Sequence, residues 1–305
     1  MRILLTGASS FTGLWFAKAL AERGHSVTAP LRSSNYSGLR GQRVSKLSKV
    51  AEVVHDCSFG SARFLDVAAQ GHFNLFCHHA SQTNDYRSAN FDALRATSEN
   101  VLNLSTTLRT LNDKGLSGVI LTGSIFEQDE GAGNEPLRAF SPYGLSKGLT
   151  WQYFRFLSET MGFSLGKFVI PNPFGPFEEP RFCNYLIQAW YKGETPSVKT
   201  PLYVRDNIHV DLLAVAYARF CEFLPSKNGI VRTNPSFYVE SQGAFAQRFA
   251  REMEARLDMP CPIELLQQTE FTEPMTRINV DRINEAEFNW SEVAAWNAEA
   301  DFYRQ

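Results

Sequence analysis

Tyr143 and Lys147 stand four residues apart in "SPYGLSK", within a stretch whose pattern predicts a helix from Pro142 to Met161. Residues four apart share a helix face. A tyrosine hydroxyl titrates at about 10, too high for efficient proton exchange at neutral pH. An ammonium about 4 Å away contributes about 4 kcal/mol at an effective dielectric of about 20. That is worth about three pKa units. The pair is therefore a candidate acid/base device, in which Tyr143 moves the proton and Lys147 sets its acidity. The competing reading is a solvated pair on a helix surface. Ser124, in "LTGSIFEQ", lies at the C-terminal end of the fifth expected strand. Strand ends of that kind line the ligand crevice of an open parallel sheet. A serine there can hydrogen-bond a reacting oxygen, or can simply close a turn.

Phosphate chemistry has its own candidate. "TGASSFTG" runs from Thr6 to Gly13, after a strand-like run and before a helical one. In that context a glycine-rich loop presents backbone N–H groups and a helix N-terminus to a pyrophosphate. Gly7 permits a tight turn and Gly13 allows the helix to pack on the sheet. Ser10 occupies the place of the middle glycine. A negative φ there keeps its Cβ clear of the ligand, and its hydroxyl can donate to a phosphate oxygen. The alternative is an ordinary strand–turn–helix with Ser9 or Ser10 as N-cap.

Strands are expected over residues 2–5, 26–31, 50–54, 73–78, 118–122 and 164–170, and helices over 11–23, 87–111 and 142–161. Alternation of this kind predicts a parallel sheet with helices on both faces. After Ile170 the pattern breaks at the loop "PNPFGPFEEP". An amphipathic helix through Phe182, Leu186 and Trp190 follows, then strand and helix in "VRDNIHVDLLAVAYARF", and a last helix over 290–303. The expected class is α/β, a Rossmann-like doubly wound parallel sheet with a smaller C-terminal lobe built from discontinuous segments. The sheet domain is expected over 1–170 and about 205–232, and the lobe over about 171–204 and 233–305.

At 305 residues, 44% hydrophobic and 20% charged, the chain can bury a sizeable core. A net charge of −2 gives no basic field to attract nucleic acid. No apolar run reaches the roughly 20 residues that span a bilayer. The five cysteines are scattered without a C-x-x-C, which fits reduced thiols in a cytoplasmic protein. Cys77, His78 and His79 are adjacent on a strand and cannot all face one ion, so no metal site is expected.

With these residues in view, the chain resembles the extended short-chain dehydrogenases/reductases, a group acting largely on nucleotide sugars. "TGASSFTG" resembles their T-G-x-x-G-x-x-G loop, and Ser124, Tyr143 and Lys147 match their Ser/Tyr/Lys triad. "FCHHAS" resembles H-x-A-A through His78 and Ala80. "NFDALRATSENVLNL" resembles N-x-x-G-T-x-N-L, with Asn90 matching and Ala93 replacing the glycine. "NPFGP" from Asn172 is similar to N-x-Y-G-P, and "VRDNIHVDLLA" to R-D-F-I-H-V-D-D-L-A, with Leu212 replacing the second Asp. The resemblance implies a nicotinamide dinucleotide held by Gly7, Ser10, Phe11, Gly13, Arg32, Ser33, His78, Ala80 and Lys147. It implies a nucleotide-sugar substrate met by Ser124, Asn172 and Arg205, with Arg181 a further phosphate candidate. It also implies a homodimer through the helices of residues 87–111 and 142–161, forming a four-helix contact. His209 and Asp211 are expected to brace the fold.

An acid after the second strand grips the adenosine ribose, whereas an arginine accommodates a 2′-phosphate. Here Arg32, Ser33 and Ser34 stand at that point without an acid, so NADP(H) is expected over NAD(H). NADP(H) suits net reduction, and the leading expectation is a 4-keto-sugar reductase. An NAD-dependent epimerase is the runner-up. A dehydratase is disfavoured because Ile125 and Phe126 stand where the resemblance implies an Asp-Glu pair. A non-catalytic dinucleotide sensor belongs to another class; such proteins usually lose the Tyr/Lys pair.

Overall fold

Aliphatic runs of three to seven residues, most of them ended by Gly, Pro, Ser or Thr turns, supply the strands of the main sheet. In the computed structural model, which describes residues 1–304, helices separate these runs. The order begins β1 (Arg2–Thr6), α1 (Phe11–Glu22), β2 (Ser26–Pro30), α2 (Gly38–Leu47), β3 (Glu52–Val54), α3 (Ala62–Gln70) and β4 (Leu75–His78). It continues α4 (Ala93–Asn100), α5 (Leu104–Asn112), β5 (Gly118–Ser124), β6 (Ala132–Gly133), α6 (Pro142–Met161), β7 (Leu165–Ile170) and β8 (Asn172–Phe174). Then come α7 (Phe182–Tyr191), β9 (Ser197–Val198), β10 (Val204–His209), α8 (Val210–Phe223), β11 (Ile230–Thr233), β12 (Pro235–Ser236) and β13 (Tyr238–Ser241). The chain closes with α9 (Gln242–Leu257), β14 (Glu264–Leu265), β15 (Arg277–Ile278), β16 (Asp281–Arg282) and α10 (Glu292–Tyr303).

Two units form. The first comprises residues 1–130, 138–170 and 214–234, and the second 131–137, 171–213 and 235 onward. The second takes two pieces that the sequence pattern assigns to the first. Residues 131–137 go with it because β6 pairs with β15. β10 goes with it because it pairs with β8 and β13.

The first unit is a seven-stranded parallel sheet in the order β3-β2-β1-β4-β5-β7-β11. The chain reverses its direction of travel between β1 and β4, so their C-terminal ends flank a crevice. One face is covered by α3, α5 and α6, whose Phe64, Leu108 and Phe154 pack with Phe76 and Val119 of the strands. On the other face Phe16 of α1 stacks on Tyr217 of α8 at 3.9 Å, and Phe168 meets Tyr217 edge-on at 5.0 Å. The sheet is buried on both faces, which is why its strands read as continuous apolar runs.

The single helix expected over 87–111 is two. Asn103 adopts a left-handed φ of 52° between α4 and α5, and its amide donates to the Gly60 carbonyl at 2.8 Å. A short polar side chain tolerates that conformation and ends α4 there. Helices α2 and α3 lie where the sequence pattern gave no element. Ser61 caps α3 by accepting from the Phe64 N–H, the N-cap geometry expected of serine.

In the second unit β10 runs parallel to β8 and antiparallel to β13. Its core is aromatic: Phe174 contacts Phe245, Phe249 and Trp296 with ring centroids 5.1, 6.3 and 5.2 Å away. No helix among the described residues is long and apolar enough to cross a membrane.

Helix α6 begins with Ser141 as N-cap and Pro142 at its first position, a start that fixes Tyr143 in the first turn. It lies very close to the segment leaving β5. A Cβ on Gly144 would sit 2.1 Å from the Phe126 carbonyl oxygen. Gly144→Ala therefore forces α6 off that segment. Chemical denaturation should show a loss of about 1–3 kcal/mol, the usual cost of overpacking. An unchanged midpoint would refute the tight seat.

Candidate active site

The glycine-rich loop is shaped by close approach. Gly7 has a left-handed φ of 74°, and a Cβ on it would meet the Ala80 nitrogen at 2.7 Å. A Cβ on Gly13 would lie 2.2 Å from the Gly7 carbonyl oxygen. Ser10 sits in extended conformation (φ −76°, ψ 170°) and caps α1, its Oγ accepting from the Gly13 N–H at 3.1 Å. Ser10 is thus the N-cap of α1, and its φ is negative. The N–H groups of Phe11 and Thr12 have no acceptor among the described residues. This first turn can take an anion.

Alternation along β4 sends His78 and His79 to opposite faces. His78 is buried against Phe59, Phe76 and Phe154, with Nδ1 3.1 Å from the Thr6 hydroxyl. Its imidazole therefore faces the core. The neighbour that reaches the loop is His79. Its Nε2 lies 3.0 Å from Ser10 Oγ and 2.9 Å from Thr12 Oγ1, and its Nδ1 lies 3.0 Å from Thr122 Oγ1. Sequence reasoning missed His79; strict alternation through Cys77, His78 and His79 was the available signal. Ala80 donates its N–H to the Thr6 hydroxyl at 3.1 Å. Arg32, beyond β2, is exposed. The Ser33 hydroxyl donates to the Asn35 carbonyl at 3.2 Å, and the Ser33 N–H donates to the Tyr36 hydroxyl at 3.2 Å.

Lys147 is 4% exposed, and its ammonium donates to the Thr122 carbonyl at 2.5 Å. Burial draws its pKa down to about 8, with Lys167 adding to the effect and Glu127 opposing it. One turn earlier on α6, Tyr143 is half-buried beside the rings of Tyr86, Phe91 and Phe126, with centroids 5.3, 6.1 and 6.4 Å away. Ser124 closes β5; its Oγ accepts from the Phe126 N–H at 3.3 Å. Residues of three elements, β4, β5 and α6, thus converge at the sheet's C-terminal edge.

Behind Ser124 is a charged network that sequence reasoning did not foresee. Glu127 is fully buried, accepting from the Ser124 N–H at 2.7 Å and from Lys167 at 2.5 Å. Lys167 also donates to Glu130 at 2.6 Å, and Arg232 donates to Glu130 at 2.8 Å. Both oxygens of Glu127 are thereby engaged, so it braces the strand end and is not a free acid.

The remaining candidates belong to the second unit. Asn172 opens β8, and Arg181 is the N-cap residue of α7. Arg205 lies over the Tyr203 ring at 4.5 Å and donates to Glu273 at 3.0 Å and to the Pro274 carbonyl at 3.0 Å. The acid partner is Glu273, not the adjacent Asp206. Asp206 instead accepts from the Phe237 N–H at 2.9 Å, and burial raises its pKa to about 6. His209 is buried, its pKa lowered to about 3 by that burial, and its Nδ1 accepts from the Asp211 N–H at 3.3 Å.

A family model described as the NAD-dependent epimerase/dehydratase family matches residues 3–230. A search of curated proteins found no match. Solved structures of the same fold include a UDP-glucose 4-epimerase from Thermotoga maritima, in complex with UDP-glucose. It is 18% identical, with a TM-score of 0.75, covering 100% of this chain and 99% of that one. A UDP-glucuronic acid 4-epimerase from Bacillus cereus, with UDP-glucuronic acid and NAD, is 16% identical with a TM-score of 0.75, covering 100% and 99%. A dTDP-glucose 4,6-dehydratase from Streptomyces venezuelae is 17% identical with a TM-score of 0.72, covering 100% and 97%.

The depressed Lys147 pKa has a sign that can be measured. Below about pH 8 the buried lysine is charged in both folded and unfolded chains, and the native state carries a net cost of about 3 kcal/mol for holding that charge. Between about 8 and the ordinary 10.5, the folded lysine is neutral while the unfolded one still binds its proton. Stability therefore rises with pH across that window. Nucleotide-free Lys147→Met should lack this rise. Relative to it, the wild-type unfolding free energy should climb by about 3 kcal/mol over the same window. Parallel pH dependences would refute the shift.

Proposed function

The chain belongs to the NAD-dependent epimerase/dehydratase family, and on that premise we propose that it is an NADP(H)-dependent 4-keto reductase of a nucleotide sugar. The observation that carries the chemistry is the buried ammonium of Lys147, one turn from Tyr143 on α6 and bound to the C-terminal end of β5.

The first unit fits a dinucleotide. The loop of Gly7, Ser10, Phe11 and Gly13 offers two unpaired N–H groups, the Ser10 hydroxyl and the positive end of α1. Ala80 lines the same loop through its backbone, and His78 holds β4 in place from the core side. The chemistry that a bound nicotinamide supplies is hydride exchange with a carbon of the sugar. Tyr143 delivers a proton to the oxygen of that carbon. Lys147 favours the ionised phenol and holds the nicotinamide ribose. Ser124 orients the oxygen. In the second unit Asn172, Arg181 and Arg205 are the proposed contacts of the sugar nucleotide. Arg205 exchanges Glu273 for the diphosphate, a like-for-like swap of anionic acceptors.

Reduction is favoured over elimination because both Glu127 oxygens are occupied. NADP(H) is favoured because the exposed Arg32 and the adjacent Ser33 stand at the ribose position without an acid. On the nearby α2, the buried Nε of Arg40 also has no partner among the described residues. Epimerisation with retained NAD is the second reading, supported by the two epimerases of the same fold. A homodimer is supported by α4 and α6. They pack together and leave Leu94, Leu145, Tyr153 and Phe156 exposed, an apolar stripe of the kind that marks an interface.

Tyr143→Phe should lower kcat by about two to four orders of magnitude, the range of general acid–base catalysis, while dinucleotide binding persists. Near-normal turnover of a nucleotide 4-keto-sugar would remove Tyr143 from the chemistry. For the cofactor, KM for NADPH should be well below that for NADH, and Arg32→Ala should narrow the gap about tenfold or more. A wild-type preference for NADH, or protein purified with tightly held NAD, would turn the reading to the epimerase.

A further inference from the structure

We infer that His79 is a positioning residue that turns the Ser10 hydroxyl into a dedicated donor for the dinucleotide pyrophosphate. The inference rests on the dinucleotide reading above and assigns a role to a side chain that reading does not use.

The argument is an inventory of donors and acceptors. A serine hydroxyl has one hydrogen and two lone pairs, and a neutral imidazole has one donor and one acceptor nitrogen. Ser10 Oγ already accepts from the Gly13 N–H at 3.1 Å. The imidazole of His79 reaches Ser10 and Thr12 from one nitrogen and Thr122 from the other. If Thr122 donates to Nδ1, then Nε2 carries the hydrogen and shares it between the two loop hydroxyls. Both lone pairs of Ser10 Oγ are then filled from within the protein. Its hydrogen has nowhere to go but outward, at the first turn of α1, where the dipole favours an anion.

The opposite tautomer works against binding. With the hydrogen on Nδ1, Nε2 takes a hydrogen from one loop hydroxyl, and that hydroxyl is lost to the ligand. Burial and the Lys147 charge hold His79 far below its usual pKa, at about 3, so the neutral ring persists through the physiological range. Thr122 ties the device to the catalytic helix, because its carbonyl accepts from Lys147 while its hydroxyl meets His79. A serine in place of the middle loop glycine thus comes with a histidine that orients it.

The test is calorimetric titration of the nucleotide-free chain with whichever of NADPH and NADH the wild type binds more tightly, beside adenosine, which lacks the pyrophosphate. Ser10→Ala and His79→Phe should each weaken dinucleotide binding about tenfold, the worth of one hydrogen bond to a charged group. Adenosine binding should stay within about twofold. The double variant should be no weaker than His79→Phe alone, because both remove one donor. His79→Gln, which keeps an N–H donor, should recover most of the affinity. Nitrogen-15 spectra of the wild type should show His79 protonated on Nε2. Unchanged dinucleotide affinity in either single variant, fully additive losses, equal loss on adenosine, or an Nδ1–H ring would each overturn the inference. Should His79→Phe fail to fold, Ser10→Ala and the spectra decide it alone. A wild type that binds neither dinucleotide would overturn the dinucleotide reading and this inference with it, whereas failure confined to the variants would overturn the inference alone.

Discussion

The first unit is organised around a positive charge that has been taken out of water. Lys147 lies almost wholly inside the protein, and among the described residues its ammonium donates to the backbone carbonyl of Thr122. An ammonium in such a place destabilises the fold unless compensating groups are built around it. Compensation comes from the acid side of the neighbouring network. Glu127 raises the affinity of Lys147 for its proton, while Lys167, held between Glu127 and Glu130, counts against it. The result is a lysine poised near neutrality. A solvated surface lysine could not sit there, and a lysine locked in its own salt bridge would have an elevated pKa. The placement of β5, the seat of α6 and the sequestering of Glu127 can all be read as the means of holding that balance.

The balance depends on how closely α6 and the end of β5 approach. Gly144 lets the helix lie against the Phe126 carbonyl, and the Ser124 N–H is pinned by Glu127. Ser124, Tyr143 and Lys147 are thereby set by backbone contacts as much as by their own side chains. Residues placed in this way would be preorganised for the proposed reaction, since no side chain would need to be ordered as it occurs. The same Thr122 that receives Lys147 also meets His79, so the strand end links α6 to the glycine-rich loop.

Much of this was legible in the sequence, and for identifiable reasons. The parallel sheet announced itself because strands buried on both faces are short apolar runs between helical stretches. The spacing of Tyr143 and Lys147 on a helix, and the position of Ser124 at a strand end, required only periodicity and topology. What was not legible were features set by long-range contact. The break at Asn103 follows from its amide finding the Gly60 carbonyl 43 positions away. The Glu127–Lys167–Glu130–Arg232 network joins residues from β7, β11 and the segment after β5, and no local pattern marks it. His78 stood out by motif, yet alternation along β4 gives the loop to His79. The assignment of β10 to the second unit eluded a linear reading because β10 joins strands that precede and follow it by many residues.

In the second unit, Arg205, the proposed diphosphate contact, is engaged by an acid, backbone carbonyls and an aromatic ring. A bare guanidinium among backbone carbonyls and an aromatic ring would be under-satisfied, and Glu273 completes its set of acceptors. Glu273 is itself 46% exposed, so the contact is screened and easily exchanged. A diphosphate offers the same guanidinium more charge and a bidentate geometry. In the proposed role, binding would replace one ion pair by a stronger one instead of creating a charge contact from solvent. The net gain is smaller than the new contact alone would suggest, because Glu273 must return to water. Under the proposed function, that moderation would suit a substrate that has to leave after each turnover, and it would place selectivity in the difference between two anions competing for one arginine.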